Sequence, residues 1–329
     1  MIRIPSLAVA AALALSSCGA PSMTEGVTRA RARSTGLFGM SSPDAVKTAG
    51  TSAFKGADRV VVGSFIVGFS TYDTMSRQSG RFSSNARNTL VGVDESQMRQ
   101  ITDAAHDRFA QALRTAGYTV VDPARLLADT AYSATKSYPN PYVDTSGGLF
   151  GSRSSITYVG QGGAPMMKIY AGAIQGTTGG FGPDNPTYKA MDFAQANGTR
   201  VLNVVYVLNF VGDARPAGLQ LTNAAVVGQG LSVVADASKL GIYGASNGTL
   251  SLGQPLTSDK AFATLSDATT GGARAGEEAV NALTSLMGNG ASQSRNFSFV
   301  ARPADYAAAA QDAMDQANAK LIATMTGLR

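Results

Sequence analysis

Two near-continuous apolar runs constrain this chain most: Arg59-Val-Val-Val-Gly-Ser-Phe-Ile-Val-Gly-Phe69 and Arg200-Val-Leu-Asn-Val-Val-Tyr-Val-Leu-Asn-Phe-Val211. Runs this rich in β-branched and aromatic residues, without polar alternation, belong to strands buried on both faces. Between them Ile101, Ala105, Phe109, Ala112, Leu113 and Ala116 recur at three- and four-residue steps, which predicts an amphipathic helix over 97–116. Ser96 or Asp94 is placed to cap its start, and Gly117 to end it. Tyr118–Val121 then reads as a short strand, and Asp122-Pro123 opens a helical turn through Leu126 and Leu127. Strand, helix, strand is a layered α/β unit.

The remainder extends that unit. A helix is expected near Tyr188–Ala196. Strands are expected over Leu219–Ala235 and Leu240–Leu252, broken by Gly228, Gly230 and Gly244. A helix over Ala273–Met287 would bring Ala279, Val280, Leu283 and Met287 together, and Asn296–Val300 reads as a strand. Pro303 suits the first turn of a last helix carrying the stripe Ala310, Met314, Ala317, Leu321 and Met325. Ser70–Asn88 is polar and reads as an exposed loop. Residues 131–188 hold five prolines and the pairs Gly147-Gly148, Gly162-Gly163 and Gly179-Gly180, so they read as an insertion. In it Ile156–Tyr158 and Met167–Tyr170, joined through Gln161–Pro165, are expected to form one hairpin. The fold class is therefore α/β: a single layered domain over 58–329, its mixed sheet flanked by amphipathic helices.

Composition removes several kinds of chemistry. With one Cys and one His in 329 residues, the chain has no intramolecular disulfide, no CxxC pair and no multi-cysteine or His-rich metal site. Arg3 precedes the apolar stretch Leu7–Leu15, which is too short for a spanning helix of ~20 residues and reads as a secretory signal over 1–17. The stretch ends in Leu15-Ser16-Ser17-Cys18, which resembles the bacterial lipobox, where cleavage precedes the cysteine and its thiol takes a diacylglyceryl group. Gly19 lacks the Asp that holds such lipoproteins at the inner membrane, so the resemblance implies outer-membrane anchoring, facing the periplasm. Each buried CH₂ of the acyl chains would contribute ~0.8 kcal/mol. Residues 18–57, rich in small residues and without sustained period, read as a flexible tether.

Loss of residues 1–17 lowers the formal net charge from +5 to +4, which gives no licence for nucleic-acid binding. Arg29-Ala-Arg31-Ala-Arg33 is the one basic cluster; it reads as a solvated linker patch, with anionic head groups or a glycan as the alternative.

Motifs with catalytic form carry little. Gly244-Ala-Ser246-Asn-Gly248 matches the hydrolase elbow, but that chemistry needs a strand–turn–helix setting and a later His, and His106 comes earlier. Asn247-Gly248 is instead a tight-hairpin signal. His106, near Asp103 and Asp107, reads as a solvated histidine on the helix face. Asp192 and Asp213 are carboxylates that a fold could bring together. Gly176–Gly182 has the glycines of a phosphate loop without its Lys-Ser/Thr ending. Met167–Ala173 alternates too weakly for a membrane strand and reads as a surface hairpin. No catalytic residue, cofactor or metal ligand is assigned.

The layout resembles the curli-secretion-channel lipoproteins and the lipoprotein activators of penicillin-binding proteins. The matching pieces are Cys18, the strand Val60–Val67, and the helix ending Leu113-Arg-Thr-Ala-Gly-Tyr-Thr-Val-Val-Asp122. Ala194–Val205 and the Ala-rich Tyr306–Met325 match as well, over some two-thirds of the mature chain. The insertion departs from those families, and of their functional residues only Cys18 carries over. The resemblance implies a non-enzymatic, lipid-anchored periplasmic binding or assembly factor, with envelope proteins or further copies of itself as partners. The alternative it implies is an oligomeric curli-type export channel, which requires the insertion or the 70–92 loop to supply barrel-closing hairpins. A carboxylate-dependent envelope hydrolase is the third reading.

Overall fold

The computed structural model describes residues 20–29, 46–79, 82–135, 137–145, 154–163, 166–167, 185–213, 225–235, 237–286 and 292–329. Its strands are β1 (Ser22–Val27), β2 (Val46–Ala49), β3 (Arg59–Ser79), β4 (Phe82–Val91), β5 (Thr119–Val121), β6 (Ser137–Tyr138), β7 (Tyr142–Asp144) and β8 (Ser154–Gly160), then β9 (Met166–Met167), β10 (Arg200–Asp213), β11 (Val226–Val233), β12 (Lys239–Tyr243), β13 (Asn247–Leu252), β14 (Leu256–Thr257), β15 (Ala263–Asp267) and β16 (Ser292–Ala301). The helices are α1 (Glu95–Thr115), α2 (Ala124–Leu127), α3 (Thr130–Ser133), α4 (Pro186–Ala196), α5 (Gly271–Leu286) and α6 (Pro303–Leu328).

The two apolar runs form the centre. β3 and β10 lie parallel from Val60 beside Arg200 to Phe69 beside Leu208, and the path of the mixed sheet is β15-β16-β4-β3-β10-β12-β13-β2. Val60, Val62, Phe65, Val67 and Phe69 face α1 and α6, where they join Ile101, Phe109, Leu113, Met314 and Leu321. Val61 and Ile66 face the other way, onto Leu126, Tyr132, Ala190 and Phe193. Burying each such side chain contributes roughly 1.5–3 kcal/mol. Phe65 meets Phe109 at 5.7 Å and Tyr206 at 5.8 Å between centroids, and the Tyr206 hydroxyl donates to Asn318 Oδ1 at 2.6 Å. The α6 stripe read from the sequence is fully buried on the sheet, and Asp94 caps α1 by accepting from the Gln97 N–H at 2.8 Å.

Past Phe69 the sheet curls on itself. β3 turns back as β4, paired from Tyr72 beside Thr89 to Ser79 beside Phe82. β4 runs parallel to β16, and β16 antiparallel to β15. On the far side β10 pairs with β11, whose outer edge takes β1 and β14. Gln229 of β11 closes the seam: its Oε1 accepts from the N–H groups of Phe262 and Ala263, both at 2.9 Å. Its Nε2 donates to Glu25 O at 3.1 Å.

This lobe overturns the reading of Ser70–Asn88 as a loop. Its inward rows, Asp73 on β3 and Ser84, Ala86 and Asn88 on β4, are buried yet mostly polar. The hydrophobic alternation that marks a half-buried strand is therefore missing.

Residues 18–57 are likewise not a simple tether. β1 and β2 are strands of the sheet, and Thr51–Phe54 is a 3-10 turn whose Phe54 is fully buried. Gly228 and Gly230 do not break β11 but make room for the segment after β1: a Cβ on Gly230 would stand 2.0 Å from Thr28 O, and one on Gly228 2.5 Å from Thr28 Cγ2.

Within 131–188, β8 pairs with β3 and with β7. The expected partnership of Ile156–Tyr158 with Met167–Tyr170 is not made; Met166 and Met167 pair with Tyr138 and Ser137. Residues 168–184, with Gly176–Gly182 and most of Met167–Ala173, lie outside the described residues.

α5 also differs from expectation. Its Ala279 and Val280 are exposed, Val280 at 61%, and the side chains of Leu283 and Met287 lie outside the described residues. The row turned inward is polar. Asn281 accepts from the Ser292 N–H at 3.0 Å and donates to Ser292 O at 2.8 Å, while Glu277 accepts from the Ser294 N–H at 2.6 Å. Four helical residues rise ~6 Å and two strand residues ~6.8 Å, so a helix can match alternate groups of a strand edge.

Candidate anchor end and docking groove

Cys18 lies outside the described residues; the described chain starts two residues later, at Ala20. Pro21 is buried and Ser22 enters β1 at once. The Ser22 N–H donates to Ala225 O at 2.9 Å, and the Ala225 N–H donates to Ser84 Oγ at 3.1 Å. Ser84 stands two residues from Phe82, where the β3–β4 hairpin closes. Two hydrogen bonds thus tie the entry of the chain to that hairpin tip. Cys18 precedes Ser22 by four residue steps, which span at most ~14 Å.

The β3–β4 hairpin is rich in Arg, whereas Asp213 ends β10 beside Val227, one residue from the β11 partner of Ser22. Between Asp73 and Asp94 the chain carries Arg77, Arg81 and Arg87 and no carboxylate, and Arg87 is exposed on β4. The cluster beginning at Arg29 is placed differently from expectation. β1 carries the chain away from Ser22 but bulges between Thr24 and Val27, so that its five steps from Ser22 to Val27 match three of β11, and Arg29 stands short of the ~23 Å that seven regular strand steps would span. There it pairs with Asp259 at 3.1 Å, both side chains being exposed. Arg31 and Arg33 lie outside the described residues.

At the other end of β4, nine steps or ~30 Å from Phe82, a groove of about 880 Å³ opens between the first halves of α1 and α6. Ile101, Ala104, Ala307 and Ala308 line it, with Gln97, Arg108, Lys260 and Asp312 among its polar residues. Its walls are tied by polar bonds. Arg108 Nη1 meets Asp315 Oδ2 at 2.7 Å, and the Gln311 side chain donates to Ile101 O at 2.8 Å. Sequence reasoning missed this groove because Ala304, Ala307 and Ala308 lie off the apolar stripe of α6; a second row of small residues on that helix was the available signal.

The candidate catalytic residues are not brought together. His106 is not solvated, its side chain being only 12% exposed. Its ring meets Phe65 edge-on at 5.7 Å, and Nδ1 lies 3.2 Å from Asp107 Oδ1. Ser246 sits in the β12–β13 hairpin, where the Gly244 N–H donates to Ser246 O and Asn247 already pairs with Tyr243. The hairpin is as expected, but Asn247-Gly248 lies in β13 rather than in the turn, packed against Gly50, whose φ is +61°. Asp192 is exposed on α4, just before β10 starts, whereas Asp213 ends that strand thirteen residues along. Among the described residues no group of three His, Cys, Asp or Glu could hold a metal ion, and no helix is long and apolar enough to cross a membrane.

Two shifted acids are structural. Burial, and then the Asp315 carboxylate, raise the Tyr206 hydroxyl well above the usual phenol range. Burial raises the Asp267 carboxyl, but hydrogen bonds from the Thr269 side chain and N–H, together with Arg274, outweigh it and hold the group below its ordinary value. No protein-family model matches the chain, and neither a curated protein nor a solved structure does.

Proposed function

We propose that this chain is a lipid-anchored periplasmic binding or assembly factor of the bacterial outer membrane. One observation carries the reading: the lipobox-like Leu15-Ser16-Ser17-Cys18 ends four residues before a strand built into the domain. An acyl group on Cys18 would therefore hold the body close to the bilayer. The α1–α6 groove, ~30 Å up β4, would then open toward the periplasm. Its small-residue floor and polar walls suit a protein segment whose apolar side chains seat on Ala307 and Ala308 while Lys260 and Asp312 set its polarity. We place the partner among envelope proteins and assign no cofactor.

The test is photo-crosslinking from the groove. A benzophenone amino acid at Ala308 in the native host should capture a discrete envelope protein, and one at Asn197, exposed at the end of α4, should not. Equal or no capture at both positions would count against the groove as the docking surface.

The oligomeric export channel is kept as a second reading on one observation: the polar 70–92 region supplies the hairpin that reading needs. β4 pairs there with β16 of its own chain. Ring-shaped particles in mild detergent would favour the channel, and a monomer at high concentration would remove it.

A further inference from the structure

We infer that the α1–α6 groove takes α5 of a second copy of this chain, so that copies associate head to tail. The inference names the occupant of the groove and rests on the groove being a docking surface.

α5 is amphipathic with its polar side turned inward. Arg274 pairs with Asp267 at 2.6 Å, Glu277 pairs with Arg295 at 2.8 Å, and Asn281 exchanges two hydrogen bonds with Ser292. The opposite face, made by Gly272, Ala275, Gly276, Ala279 and Val280, is exposed and uncharged. A surface helix ordinarily turns its apolar face to the core. Gly276 adds to this. Glycine inside a helix is unfavourable relative to alanine, and a Cβ at Gly272 or Gly276 would meet no atom within 4 Å among the described residues. Packing within the chain does not call for glycine there, whereas the close approach of another backbone does.

The groove has the matching character. Ala104, Ala304, Ala307 and Ala308 line it, so a helix with small residues can lie close to both walls, at interaxial distances of ~8–10 Å. Gln97 to Arg108 spans ~17 Å along α1 and Gly272 to Val280 ~12 Å along α5, so the face fits within the groove.

Charge selects the pair. Of the charged residues lining the groove, Asp94 caps α1, Arg108 pairs with Asp315, and Asp312 accepts from Gln316. Lys260 is exposed and pairs with no carboxylate among the described residues. Glu278, exposed beside the uncharged face of α5, pairs with no cation among them.

The chain cannot fill its own groove. Arg274, Glu277 and Asn281 fix α5 along the first half of β16. Ser294, which Glu277 holds, stands seven strand steps, ~23 Å, from Ala301, after which α6 and the groove begin. The contact is therefore heterologous: each copy offers α5 to one neighbour and its groove to another. Such contacts give a ring where the rotation closes and a filament where it does not. One helix face in one groove is at the small end of protein interfaces, so the association is read at high concentration.

Cysteine crosslinking of the full-length chain in mild detergent tests this. Ala279→Cys and Ala308→Cys proteins oxidised together should give a disulfide-linked dimer. Each oxidised alone should give no more than wild type, which reports any contribution of Cys18. Gly276→Leu in the Ala279→Cys protein should cut the yield at least tenfold while leaving its urea midpoint equal or higher, since leucine is the better helix former. Lys260→Glu in the Ala308→Cys protein should cut the yield several-fold, and Glu278→Lys in its partner should restore it.

No dimer from the mixture, as much dimer from either variant alone, or an undiminished yield with Gly276→Leu or Lys260→Glu would overturn the inference. Photo-capture from Ala308 separates its failure from that of the groove. An adduct of two copies supports both, an adduct with a different envelope protein overturns the second-copy assignment alone, and no adduct overturns both.

Discussion

The rings of Phe210 and Phe299 meet edge to face with centroids 4.9 Å apart, although β3 and β4 separate their strands in the sheet. Contact across two intervening strands is possible only because the sheet curls until its inner faces touch. At this level the lobe is filled by side chains, as small closed sheets are.

Phe299→Ala should therefore lower the unfolding free energy by roughly 3–5 kcal/mol, and Phe210→Ala by a similar amount. The double variant should cost less than the sum by at least ~0.5 kcal/mol, because both rings line one cavity. Urea unfolding of the four proteins reads this. Additivity within ~0.3 kcal/mol would mean that the rings do not share a site.

Gly230→Ala tests whether the N-terminal strand is part of the fold. The new methyl would stand 2.0 Å from Thr28 O, a backbone atom with nowhere to go. Limited proteolysis should then cleave around 22–29 while the β3–β10 core stays protected. Unchanged protection of β1 would contradict the packing described for Thr28.

How much of this was legible in the sequence follows from where the apolar residues sit. β3, β10, α1 and α6 bury one-sided or two-sided apolar rows, so their periods are visible in Val60–Phe69, Val201–Val211 and the Ala310–Met325 stripe. The lobe was not legible, because Asp73, Ser84, Asn88 and Arg295 occupy its inward rows. β1 and β2 are short and held by edge pairing and by glycines across from them, which leave no periodic mark. Of the candidate site, the proposed anchor rests on four residues of sequence alone, whereas the groove arises where two distant helices meet.

The helix-capped edge of β16 makes a prediction about association. Glu277 and Asn281 occupy the N–H groups of Ser294 and Ser292, and Glu277 also pairs with Arg295 at 2.8 Å. Removing both side chains leaves a bare strand edge, which is a template for pairing with another chain. Glu277→Ala/Asn281→Ala should lower stability by up to ~3–5 kcal/mol, Arg295 being left without its carboxylate, and should raise self-association in light scattering. An equally stable, monodisperse variant would argue that α5 does not guard this edge.

Acid should weaken the α5 attachment through Asp267. Its folded-state pKa lies below its ordinary value of 3.8, so its contribution is fully present above that value and is lost as pH falls through the lower folded value. The urea midpoint of wild type should exceed that of Asp267→Asn at pH 6, and the gap should narrow progressively as the pH falls below the ordinary value of 3.8. A gap that is constant or widens on acidification would contradict the Thr269 and Arg274 contacts.

The central proposal is that Cys18 carries lipid and so holds the domain close to a bilayer. Intact mass spectrometry of the protein extracted in detergent from its native host tests it most directly. The account predicts a chain beginning at Cys18 with the mass of residues 18–329 plus diacylglycerol and an amide-linked acyl group. A chain that keeps residues 1–17, or one that begins at or after Cys18 with no added lipid, would contradict it.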